Sequence, residues 1–121
     1  MKFGISYLLP QALQQLCFQC ENLEFLVSKY PEIQHVCAFN SVKELYLTGS
    51  AVQAQFKKGD HIDFLVDFTS DDPVKRSTLY MSLKSDLTEI LHNNIRLYDL
   101  FYTTEDKPST GHQKRILLYK C

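Results

Sequence analysis

Opposite charges almost cancel along this chain, and no stretch of it is strongly one-signed. Thirteen lysines and arginines stand against fourteen aspartates and glutamates, a net charge of −1. That removes the basic footprint that long nucleic acids require. No apolar run approaches the roughly 20 residues that span a bilayer. The N-terminal MKFGISYLLPQ is also too short and too weakly apolar for a secretory leader. A cytoplasmic location is therefore expected, with no membrane partner. Cysteine is sparse: Cys17 and Cys20 form one Cys-x-x-Cys pair, but no second pair or histidine pair stands at zinc-ligand spacing. The pair falls inside a helical pattern, not at the strand-to-helix turn of a redox motif, so the four thiols, with Cys37 and Cys121, read as buried and structural. Four glycines and four prolines are scattered along the sequence, which leaves no linker to divide it. Residues 1–121 are expected to form one domain, large enough to bury about two-thirds of the surface its unfolded chain exposes.

What is present is a regular alternation of helix and strand patterns. Leu9, Leu13, Leu16, Cys20, Leu23 and Val27 recur at three- and four-residue steps, predicting one helix over about 8–29. A short helix follows Pro31 over 32–39, and a strand is expected over 43–48. Ser50 is placed to open a short helix across 50–57, and Lys58-Gly59-Asp60 reads as a turn. In the next strand, 61–68, Ile62, Phe64, Val66 and Phe68 share one face, while His61, Asp63, Leu65 and Asp67 share the other. Ser70-Asp71-Asp72-Pro73 is a helix start, and Leu79, Leu83, Leu87, Ile90 and Leu91 form the stripe of a helix to about His92. A third strand is expected over 95–102, then a polar loop over 103–111 and a short closing helix or strand. The fold class is α/β or α+β: a small mixed sheet packed with helices.

The stretch from Leu45 to Phe68 carries the chemistry. LYLTGS ends a strand on Gly49-Ser50, and ten residues later HIDFLVDF sets Asp63 on the next strand. Glycine at a strand end allows close approach of backbone to ligand, and a helix opening at Ser50 would point free N–H groups at an anion. Acids at i and i+2 on a strand share a face, about 6–7 Å apart, and suit a hard cation such as Mg²⁺. The remaining histidines, His35, His92 and His112, have no acid or cysteine at triad spacing and read as surface groups.

LYLTGS, HIDFLVDF and the later RLYDLF together resemble the minimal nucleotidyltransferases (MNT) of the DNA polymerase beta-like superfamily. The resemblance covers about Val42 to the C-terminus, which divides the chain into an N-terminal helical segment, 1–41, and a family-like core, 42–121. It implies a nucleotidyltransferase-like fold and, ancestrally, transfer of a nucleotide from an NTP such as ATP with Mg²⁺ or Mn²⁺. Gly49 and Ser50 match the nucleotide-binding turn, Asp63 the second acid of the Asp-x-Asp pair, and Asp99 the third acid. Catalytic and metal-binding roles are thus implied for His61, Asp63 and Asp99. It also implies a HEPN-type helical partner in a toxin–antitoxin-like pair; a homo-oligomer is the other assembly considered.

Two departures stand out. The first Asp of the pair is His61, and the family's Ala-Arg-Gly is Val52-Gln53-Ala54. Asp60 points to the opposite face if the strand is regular, and Asp67 lies about 13 Å along. Three readings of His61 follow. The chain is a pseudoenzyme that docks on a partner with no cofactor; or it retains weak nucleotide or metal binding as a signal; or it is an active transferase in which His61 ligates an ion other than Mg²⁺. On the first two, His61→Asp is expected to raise metal-dependent nucleotide binding.

Overall fold

The computed structural model describes residues 10–19, 21–53, 56–57, 59–102 and 115–121. Three helical pieces come first: α1 (Gln11–Gln19), α2 (Glu24–Ser28) and α3 (Tyr30–Phe39). The single helix expected over 8–29 is instead broken by a 3-10 turn at Glu21–Leu23. Asn22, a weak helix former, lies in this turn, and its side-chain amide donates to the Phe56 carbonyl at 3.2 Å. The Phe25 ring then meets the Phe56 ring at 6.2 Å, so the turn ties the helices to the segment that precedes β2 (Ile62–Phe68). Leu13, Leu16, Leu23 and Leu26 still form one buried stripe. Pro31 starts α3 instead of ending a helix, in a first-turn position where its missing N–H has no helical partner to lose.

The four-stranded sheet runs β3-β2-β1-β4, with β1 (Val42–Thr48) and β4 (Ile116–Lys120) joining β2 and β3 (Ile95–Asp99). β1 lies antiparallel to both β2 and β4, while β2 and β3 are parallel. Parallel neighbours need a long crossover, which α4 (Pro73–Leu91) supplies. Asp72 caps α4 by accepting from the Lys75 N–H at 3.0 Å, Pro73 takes the first helical position, and His92 closes the helix in the left-handed region at φ 51°.

β1 and β2 lie within a residue of expectation, while β3 ends at Asp99, three residues before the expected 102. β2 begins at Ile62, which leaves His61 and Asp60 outside it. Asp60 is held by its own turn, where its carboxylate accepts from the Lys57 N–H at 2.8 Å. The helix expected over 50–57 is a 3-10 turn, Gly49–Gln53, and the chain closes in a strand whose pairing ends with the Cys121 N–H on the Lys43 carbonyl. The loop expected over 103–111, His112, Lys58, Ala54 and Cys20 lie outside the described residues, as do the side chains of Cys17 and Ser50.

One sheet face is buried. Leu45, Leu47, Ile62, Phe64, Val66, Ile95, Leu97 and Leu118 pack with Ile33, Cys37, Leu83 and Leu87 in a single core. Each fully buried side chain of this size contributes roughly 1.5–3 kcal/mol. Cys37 has the structural role expected, whereas Cys121 is exposed. Burial pushes the Cys37 thiol from its usual 9.0 up to about 12. A group whose folded pKa is raised stabilises fully below its unfolded pKa and loses that contribution as pH climbs through the folded value. Stability is therefore expected to fall between about pH 9 and 12, by up to about 1.4 kcal/mol per pH unit. Urea titrations across that range should show the fall in native protein, and Cys37→Val should make it shallower, leaving the part that Tyr30, Tyr46, Tyr80 and Tyr119 contribute.

Candidate functional site

Strand alternation sets the face opposite the core, and β2 presents Asp63, Leu65 and Asp67 there, each half-buried. The register fixes what stands beside Asp63: Thr48 on β1 and Arg96 on β3. Immediately after Thr48 the chain turns at Gly49, with φ +76°. The carboxylate of Asp63 lies directly against this turn, so that a Cβ on Gly49 would fall 2.2 Å from Asp63 Oδ2. Only glycine satisfies both the positive φ and that approach. Gly49→Ala is expected to cost about 1–3 kcal/mol and to displace the Asp63 side chain, read as a lower melting temperature and moved Asp63 and Arg96 side-chain NMR signals.

The other side of Asp63 is occupied by Arg96. Its Nε donates to Asp63 Oδ1 at 2.7 Å and its Nη2 to Oδ2 at 3.3 Å, a two-point contact. The hydrogen bond to Asp63, with the charge beside it, raises the Arg96 pKa. Asp63 is only 12% exposed in this pair, Arg96 53%. Half-exposed pairs contribute at most about 1 kcal/mol to stability. The importance of this one lies in what it does to the Asp63 charge.

Asp99 stands elsewhere. It is three residues beyond Arg96, about 10 Å along the strand, and an odd step places it on the opposite face, with Ile95 and Leu97. There Arg76 holds it. That guanidinium is 1% exposed and donates through Nε and Nη2 to the Asp99 carboxylate, through Nη2 to Asp67 Oδ1 at 3.0 Å, and through Nη1 to the carbonyls of Phe68 and Ser70 at 3.2 and 2.8 Å. It also lies over the Phe68 and Phe101 rings, at 5.4 and 4.5 Å. Burial alone would lower the Arg76 pKa, but the bonds to Asp99 and Asp67 outweigh it and leave the value raised.

The residues singled out in the sequence therefore divide. Gly49, Ser50 and Asp63 gather at one sheet end. His61 is exposed, just ahead of β2, and makes no hydrogen bond or ion pair with a described residue. The structure does not bring Asp99 to Asp63, and among the described residues no group of three His, Cys, Asp or Glu side chains is arranged to hold a metal ion. A single strand carboxylate already bound to a guanidinium does not fit a two-metal centre. Arg76 and the pairing role of Arg96 were not read from the sequence, although each had a signal there. Arg76 continues the helical stripe seven residues before Leu83, and Arg96 alternates with Ile95 and Leu97 on the face of Tyr98.

A four-stranded mixed sheet with this connectivity, packed with helices, is a nucleotidyltransferase-like fold. Two solved structures share it. One is a toxin–antitoxin with AMP-PNP, 21% identical, and the other is a mutant of the toxin–antitoxin MntA–HpeT, 20% identical, in which two aspartates two positions apart are glutamates. In each case the TM-score is 0.54, with 76% of this chain and 73% of the other covered. At these identities the likeness is one of fold. No family model and no curated protein matches the sequence.

Proposed function

We propose that this chain is a nucleotidyltransferase-fold protein that does not transfer nucleotides and acts as the partner-binding member of a toxin–antitoxin-like pair, with a HEPN-type helical protein as its counterpart. The observation that carries this reading is the two-point pair between Arg96 and Asp63. Nucleotidyl transfer depends on divalent cations held by convergent carboxylates. Here the carboxylate at the Gly49 turn already accepts from a guanidinium at both oxygens, and a metal ion would have to displace Arg96 to take them. His61 offers no compensating negative charge. An active-transferase reading would need His61 to ligate a metal together with Asp63, and its exposed position outside β2 gives that little support. The toxin–antitoxin assemblies of the two similar structures, one with AMP-PNP, support the partner role and leave nucleotide binding as the part of the ancestral activity to test. Calorimetric titration of the purified protein with ATP and Mg²⁺ or Mn²⁺ is expected to show no metal-dependent binding. Tight Mg·ATP binding accompanied by nucleotide transfer would overturn the proposal.

A further inference from the structure

We infer that the half-exposed face of the sheet is a docking surface for a partner protein presenting an apolar ridge bordered by carboxylates, such as one face of an amphipathic helix. This rests on the reading of the chain as a partner-binding module and names the surface and its chemistry. The registers place Leu117, Tyr46, Leu65 and Tyr98 in one row across all four strands. Leu117 is 39% and Tyr98 45% exposed. Three strand spacings make the row about 14 Å long, matched by about ten residues of helix. An apolar centre with a charged rim is the anatomy of a protein interface.

Each edge strand already has its central carbonyl engaged by side chains. On β3 the central carbonyl, Leu97, accepts from the Tyr80 hydroxyl at 2.7 Å. On β4 the central carbonyl, Leu118, accepts from the Tyr30 hydroxyl at 3.0 Å and the Gln34 amide at 2.8 Å. Strand addition at either edge would have to share or displace these bonds.

Charge selects the occupant. The acids of the face are engaged: Asp63 by Arg96, Asp67 by Arg76, and Glu44 by the Tyr46 hydroxyl at 2.8 Å. Among the described residues, the cations at the two ends of β4 form no ion pair, although Lys120 stands level with Glu44. Arg115 lies over the Tyr46 ring at 4.6 Å, and neither it nor Lys120 pairs with a described carboxylate. A second copy fits poorly. With a two-fold axis along the row, Asp63 would face Asp67 and Arg115 would face Lys120. With the axis along the strands, Arg96 would face Arg115 and Glu44 would face Asp67. Like charges meet in both.

The test uses the full ¹⁵N-labelled chain and three synthetic 16-residue helical peptides: a leucine stripe flanked by glutamates, the same stripe flanked by lysines, and a scrambled glutamate version. The glutamate-flanked peptide is expected to shift the amides of Tyr46, Leu65, Tyr98 and Leu117. Tyr98→Glu and Leu65→Glu should each weaken it at least tenfold, with well-dispersed spectra confirming that the variants fold, and Arg115→Glu should weaken it several-fold. Shifts confined to the helices or the strand edges would overturn the inference, as would equal binding of the lysine-flanked peptide or no binding at all. A dimer by light scattering that Tyr98→Glu returns to monomer would also overturn it, assigning the face to a second copy. None of these outcomes involves nucleotide, so the docking surface and the absence of transfer chemistry fail separately.

Discussion

Replacing Arg76 with leucine is expected to destabilise the protein by about 3–5 kcal/mol, the largest effect of any single substitution considered, because it would leave the Asp99 carboxylate buried without its cation. Asp99 is 8% exposed and Asp67 26%, so most of the uncompensated charge would be on Asp99. The same change frees two carbonyls, Phe68 and Ser70, that now accept from the guanidinium. A domain of this size has about 5–15 kcal/mol to lose in total. At about 3–5 °C per kcal/mol, the melting temperature should fall by roughly 10–20 °C, readable by circular dichroism. The double variant Arg76→Leu with Asp99→Asn should recover a substantial part of the loss, since it removes the carboxylate charge as well and keeps an oxygen to accept from the Phe101 N–H. A loss below about 1 kcal/mol would mean that water reaches Asp99 and the cluster is not sealed.

Arg76 also shows why part of this architecture was legible in the sequence and part was not. Apolar periodicity located α4, β1 and β2, because buried faces repeat every two or every three to four residues whatever the tertiary context. Periodicity says nothing about a cation on the buried stripe until its acids are brought to it. Asp67 and Asp99 come from two strands made neighbours by the crossover through α4. The break between α1 and α2 was hidden for the same reason, since Asn22 has its partner at Phe56, 34 residues away.

The candidate site divides along the same line. Gly49 and Asp63 stand together because β1 ends at that glycine and pairs antiparallel with β2, Thr48 level with Asp63. The third acid was a matter of register. The resemblance made Asp99 the third acid, yet the alternation of Ile95, Arg96, Leu97, Tyr98 and Asp99 puts it on the buried face. An odd step separates it from Arg96, and a one-residue step exchanges the faces of a strand. What could not be read from sequence alone is that Arg96 stands level with Asp63 and not two residues to either side.

Placing carboxylates at positions 61 and 96, His61→Asp together with Arg96→Asp, is therefore expected to create metal-dependent nucleotide binding that the native chain lacks, whereas His61→Asp alone should leave it undetectable. The sequence pattern treats His61 as the missing ligand. The register adds a second requirement, because Asp63 stays bound to Arg96 at 2.7 Å whatever side chain precedes β2. With both changes, three carboxylates would face one another across β2 and β3, and their mutual repulsion would favour a divalent ion. The stability cost should be small, since the pair that is lost contributes at most about 1 kcal/mol. Mn²⁺ titration followed by electron paramagnetic resonance, with and without ATP, separates ion binding from nucleotide binding. If the single His61→Asp change gained as much as the double, Arg96 would not be what occupies the site. Gain in the double variant alone would show that both positions must change before a metal ion binds at Asp63.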